Sequence, residues 1–175
     1  DLVQVRGVGR VVPGGQQLGT GLRPQRAGGQ ICGPGGHPAL PEGDGERAVA
    51  ALKDQGTELL VTLDCGVMAH DPLAHAAELG LVTIIVDHHQ AGEHLPEAYA
   101  VINPNRQDDV SGFGYLCAAG VTMIFIAAVN RRLRQLGFYG EARPEPNMLQ
   151  WLELVALATV CDVVPLKGLN RAYVT

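Results

Sequence analysis

The sequence predicts an α/β fold built on a parallel sheet with flanking helices, incomplete over the length of the chain. Two short apolar runs, Leu59–Leu63 and Val82–Val86, carry the branched residues of fully buried strands and are bounded by turn residues. One helix-length segment separates them, so the pair reads as a βαβ unit, whose crossover places both strands parallel in one sheet. Each run ends in residues able to hold a metal ion: Asp64-Cys65-Gly66 after the first, Asp87-His88-His89 after the second.

The first 45 residues predict no such order. They hold 13 of the 23 glycines and 5 of the 11 prolines, with Arg6, Arg10, Arg23 and Arg26 scattered among them and no sustained period. A stretch so composed cannot bury enough apolar surface to offset its ordering entropy. Residues 1–45 are therefore expected to be irregular, either disordered or a misread reading frame joined to true sequence near residue 45. Gly7-x-Gly9 follows no convincing strand and lacks the third glycine of a nucleotide loop.

Regular patterning begins after Gly45. Glu46 to Gln55 reads as a short helix stopped by Gly56, and Leu59 to Leu63 as a strand. Pro72 to Leu79 has proline at its start and Gly80 at its end, the usual punctuation of a helix. Val82 to Val86 is the next strand, and Tyr99 to Ile102 a third, closed by Asn103-Pro104. A polar loop runs to Gly114, and a long helix spans Leu116 to Leu136. After a connector comes a last helix, Met148 to Val160, leading into Cys161-Asp162-Val163-Val164-Pro165. Residues 46–175 thus read as one partial domain.

Composition excludes several classes. A 46% hydrophobic content suits a globular protein, and 5% aromatics leave little for base stacking. A net charge of -5 argues against a generally basic nucleic-acid surface, although bound divalent ions would supply local positive charge. No apolar run approaches the about 18 residues of a membrane span, and no signal peptide is visible. Cys32, Cys65, Cys117 and Cys161 are isolated and predict reduced thiols, hence a cytoplasmic protein with no membrane partner. Protein partners are not legible.

Ligands of open parallel sheets bind beyond the carboxyl ends of the strands. Asp64, Asp87, His88 and His89 fall on that edge, and carboxylate with imidazole suits a divalent ion such as Mn²⁺. A strand-end aspartate alone is equally a turn former. Two adjacent histidines are harder to satisfy inside a core. His37, His70, His75 and His94 have no comparable context and read as solvated. Asp162 follows an apolar helix end, where a carboxylate needs a partner: a cation or a helix-end hydrogen bond. The loop from Asn103 to Gly114, with Asn105 and Arg106, could receive a phosphate or be a plain polar turn. Arg131, Arg132 and Arg134 complement a helix dipole without a ligand.

Thr62-Leu63-Asp64-Cys65-Gly66, Val86-Asp87-His88-His89 and Ala158 through Leu166, taken in order, resemble three successive motifs of the DHH phosphoesterase family. Leu95-Pro96-Glu97-Ala98, Val101 through Arg106, Leu116 through Val121 and Asn170-Arg171 are similar to its RecJ branch of single-strand-specific 5′→3′ exonucleases. The resemblance covers residues 46–175. It implies a hydrolase of DNA repair and recombination, with two Mn²⁺ (or Mg²⁺) ions and single-stranded DNA as substrate. It further implies that Asp64 bridges the ions, that His88 and Asp162 complete one shell, that His89 faces the phosphate and that Asp87 supports the histidines. Asn105, Arg106 and Gly114 become the expected substrate-binding residues.

One departure bears on activity. The family's first motif, an Asp-x-Asp-x-Asp cluster, is missing: only Asp1, Asp44 and Asp54 precede Asp64. The expectation is therefore a fragment with impaired exonuclease function. Its alternatives are another branch of the family (a pyrophosphatase, or a phosphodiesterase of oligonucleotides or cyclic dinucleotides) and an inactive, non-enzymatic remnant.

Overall fold

The structure, a computed structural model, describes residues 2–5, 25–27 and 44–175, with side chains from residue 45 onward. Its centre is the predicted βαβ unit. Strand β3 (Leu59–Leu63), helix α2 (His70–Glu78) and strand β4 (Val82–Val86) follow α1 (Asp44–Asp54). Strand β5 (Ala100–Ile102) lies on the far side of β4. The three strands are parallel, with Leu63 opposite Val86 and Val86 opposite Ile102. The ladder continues one step past each strand, since Asp64 N–H donates to the Val86 carbonyl and Asp87 N–H to that of Ile102, both at 3.0 Å. That register brings Asp64, Asp87 and Asn103 side by side at the carboxyl edge.

Alternation along the strands divides the core between the two faces of the sheet. Leu60 and Ile85 pack with Val49, Leu52, Leu73, Ala76 and Leu81 under α1 and α2. Val61, Leu63, Ile84, Val86 and Ile102 turn to the other face, against Leu116, Val121 and Phe125 of the segment leading into α3 (Ala118–Gln135). A 3₁₀ turn at Met148–Trp151 precedes α4 (Leu152–Cys161), and α5 (Gly168–Val174) closes the chain. The sequence predicts one helix from Met148. The chain instead tightens its first turn, where Asn147 Oδ1 accepts the Leu149 N–H at 3.1 Å.

Within the stretch expected to be irregular, the structure places two short strands, β1 (Leu2–Val5) and β2 (Gln25–Ala27). β1 pairs antiparallel with both β2 and β3, giving the order β2-β1-β3-β4-β5. The expectation for 6–24 and 28–43, and the placement of His37, lie outside the described residues. Among the described residues no helix is long and apolar enough to cross a membrane.

Candidate metal centre

The end of β3 turns sharply. Asp64 has φ +63° and Gly66 φ +111°. Aspartate tolerates the left-handed region better than most residues, and the turn leaves its carboxylate largely exposed at the edge. Gly66 is obligatory, because a Cβ there would also meet Thr62 Oγ1 at 2.6 Å. Thr62 is itself buried and donates to the Cys65 carbonyl at 2.9 Å, tying the turn to the strand.

Asp87, 1% exposed, organises the next strand end. Its Oδ2 accepts the Val67 N–H at 3.0 Å, fastening the β3 turn to β4. Its Oδ1 accepts the N–H groups of His88 (2.7 Å) and His89 (3.2 Å) and faces His89 Nδ1 at 2.7 Å. Burial pushes this carboxyl up. The Val67 N–H, the His89 ring and the backbone of His89 and His88 together outweigh burial and hold it below its ordinary value.

His88 is wedged between two carboxylates. Its Nε2 lies 3.3 Å from Asp64 Oδ1, and its Nδ1 lies 3.2 Å from the Leu116 carbonyl and 3.6 Å from Asp162 Oδ2. The hydrogen bond with Asp64 raises the His88 pKa above its ordinary value; burial opposes this, while the charges of Asp162 and Asp64 and the Leu116 carbonyl add to it. The rings of His88 and His89 meet edge to face, with centroids 4.6 Å apart.

The structure brings one donor atom each from Asp64, His88 and His89 within 4.8 Å of one another. His89, expected to face a phosphate, thus joins the donor group. Asp162 reaches the same imidazole from its other nitrogen, at the C-cap of α4, and the next residue, Val163, has φ +56°. Of the residues expected to bind substrate, Asn105 gives its side-chain amide to the carbonyls of His88 (2.5 Å) and Gly114 (3.3 Å). Arg106 is committed to the Val101 carbonyl at 2.7 Å and to Asp108 at 2.5 Å. Both are thus engaged within the protein.

Sequence reasoning passed over Asn103, which is buried and donates to the His89 carbonyl at 2.9 Å. It also missed Asn170, fully buried, whose amide reaches the carbonyls of Tyr115 and Pro165 and so ties the Asp162 turn to the segment facing His88. An asparagine beside a proline, or near the chain end, signals a turn before it signals a support. His70 and His94 are exposed, and His75 pairs with Glu78 at 3.3 Å.

Comparisons with known proteins bear on this arrangement. The family model described as the DHH family, N-terminal domain, matches residues 8–159, so the match begins inside the glycine-rich stretch. The single-stranded-DNA-specific exonuclease RecJ of Salmonella typhimurium is 42% identical over 124 residues, 70% of this chain and 22% of that protein. The Escherichia coli enzyme of the same name is 42% identical over 118 residues, 67% of this chain and 20% of its own length. The chain spans about a fifth of these curated relatives. The crystal structure of RecJ in complex with Mn²⁺ from Thermus thermophilus superposes with a TM-score of 0.58 at 31% identity, over 79% of this chain and 18% of that one. The crystal structure of exonuclease RecJ bound to manganese gives 0.57 at 31% identity, over 78% and 30%. With the family match running through both strand ends that carry Asp64 and Asp87-His88-His89, the chain belongs to the DHH family.

Proposed function

We propose that this chain carries part of the site of a metal-dependent phosphodiesterase of the RecJ type, which in the longer protein hydrolyses single-stranded DNA in the cytoplasm. The carrying observation is the His88 ring. Its Nδ1 sits on a carbonyl oxygen, which can only accept, so in the neutral ring the hydrogen resides there. Nε2 then turns a lone pair toward Asp64 Oδ1 at 3.3 Å. Two acceptors facing each other call for a cation, either a proton or a metal ion. Mixed oxygen and nitrogen donors fit Mn²⁺ well, with Mg²⁺ the harder alternative.

Asp64, His88 and His89 would hold the ion, and Asp162 would support the ring or enter its shell after a modest shift. The chemistry such an ion supplies is acidification of water and neutralisation of charge on a phosphodiester. Asp87 fixes His89 with Nδ1–H donating inward, so that Nε2 is the ring's outward nitrogen. The relatives named for single-stranded DNA support that substrate class over pyrophosphate.

The missing Asp-x-Asp-x-Asp cluster supports impaired activity. Two-metal hydrolysis uses ions about 3.5–4 Å apart, and Asp64 is the one carboxylate of this edge available to a second ion. The test is Mn²⁺ binding by electron paramagnetic resonance, beside nucleotide release from single-stranded DNA and a pyrophosphate control. We expect weak, saturable Mn²⁺ binding that Asp64→Ala abolishes, with little or no nuclease activity from the 175-residue chain. Indifference of binding to Asp64→Ala would refute the site. Robust digestion by the chain itself would refute the impairment.

A further inference from the structure

Consecutive side chains on a strand point to opposite faces, yet the rings of His88 and His89 share one edge and touch. The backbone must therefore leave the extended form directly after Asp87, which withdraws the carbonyls of His88 and His89 from the sheet ladder. Side chains take them instead. Asn105 Nδ2 donates to the His88 carbonyl at 2.5 Å, and Asn103 Nδ2 to that of His89 at 2.9 Å. The two asparagines are themselves locked, since Asn105 N–H donates to Asn103 Oδ1 at 2.8 Å. Gly114 closes the arrangement: its carbonyl receives Asn105 Nδ2 at 3.3 Å, and a Cβ at this position would collide with Asn105 Oδ1.

We propose that Asn103 and Asn105 are positioning residues that set the path of the His88–His89 peptides, and that Gly114 is the gap that allows Asn105 to do so. The proposal rests on the reading of Asp64, His88 and His89 as metal ligands. It assigns the loop after β5 to the histidines, where the sequence suggested the substrate. Groups that orient metal-binding histidines typically change metal affinity by about 10–100-fold when removed.

The test uses the 175-residue chain with Mn²⁺ as probe, and the variants Asn105→Ala, Gly114→Ala and the pair together. Asn105→Ala should weaken Mn²⁺ binding about tenfold and shift the ¹⁵N resonance of His89 Nδ1, which now faces Asp87 at 2.7 Å. Gly114→Ala should weaken binding similarly. The double variant should match Asn105→Ala alone, because the clash of an alanine at 114 is with the Asn105 side chain. Two independent effects that multiply would overturn the proposal, as would unchanged affinity and ring resonances in Asn105→Ala. If the parent chain binds no Mn²⁺, the metal reading fails, and the His89 resonance of the metal-free variants still decides the positioning role. Should Asn105→Ala not fold, Asn105→Ser, which keeps a shorter donor, takes its place and should give an intermediate shift.

Discussion

Asp87 concentrates more of the site's order than any other side chain. Four contacts converge on one buried carboxylate, three of them from the two residues that follow it. An ionised acceptor is worth most where its donors have no water to turn to, about 1.5–3 kcal/mol per hydrogen bond to a charged group. Asp87→Asn keeps the shape but puts an NH₂ against N–H donors, and should cost about 2–3 kcal/mol, read as a lower urea midpoint at pH 7. The pH dependence follows with its sign. The folded pKa lies below the ordinary 3.8, so this contribution is full above that value and is lost as pH falls through the folded one. The urea midpoint of the parent should therefore drop between about pH 4 and the folded value, whereas Asp87→Asn should flatten that limb. An equally steep acid limb in the variant would place the titrating group elsewhere.

At the scale of elements, legibility depends on what decides each boundary. β3 and β4 are legible to the residue because Asp64 and Asp87 interrupt apolar runs, and a buried strand cannot carry an unpaired carboxylate. The parallel α/β class follows from those strands and the helix between them. The antiparallel pairing of β1 with β3 is not legible, since a short run such as Leu2–Val5 binds its neighbour through backbone groups that any residue offers. The candidate site divides likewise. Asp64 meets His88 because adjacent parallel strands end in register, whereas the approach of Asp162 to the other ring nitrogen depends on how α4 packs. That approach carries strain at Val163, a β-branched residue at φ +56° and 87% exposed. Left-handed backbone costs an L-residue roughly 1–2 kcal/mol, while asparagine visits it readily. Val163→Asn should thus stabilise the chain by about 1 kcal/mol, seen as a higher melting temperature with Mn²⁺ binding unchanged. A lower melting temperature would mean that the valine makes contacts outweighing its backbone strain.

The whole molecule shows an imbalance that no single element explains. α4 is apolar around its circumference, as in Val155-Ala156-Leu157-Ala158, so no period tells which face is covered. The structure buries Val155 and Thr159 and leaves Leu154 63% and Leu157 62% exposed, with Val160 and Leu166 also more than half exposed. A cleft of about 610 Å³ beside this helix is lined by Leu63, Met123, Trp151 and Leu154 together with Asp64 and Asp162. Monomeric proteins rarely leave contiguous apolar patches beyond a few hundred Å² uncovered, and this chain spans about a fifth of its relatives' length. With nothing else in solution, copies of the chain should cover one another's α4. We therefore expect concentration-dependent self-association in sedimentation velocity. Leu154→Lys with Leu157→Lys should shift it toward monomer, because charged heads replace the apolar surface on offer while the buried Val155 and Thr159 stay in place. The substitutions touch none of the residues that fasten Asp64, His88 and His89, so Mn²⁺ binding should survive them. A chain that stays monomeric before any substitution would show that α4 is covered from within, by a packing of its own residues different from the one described.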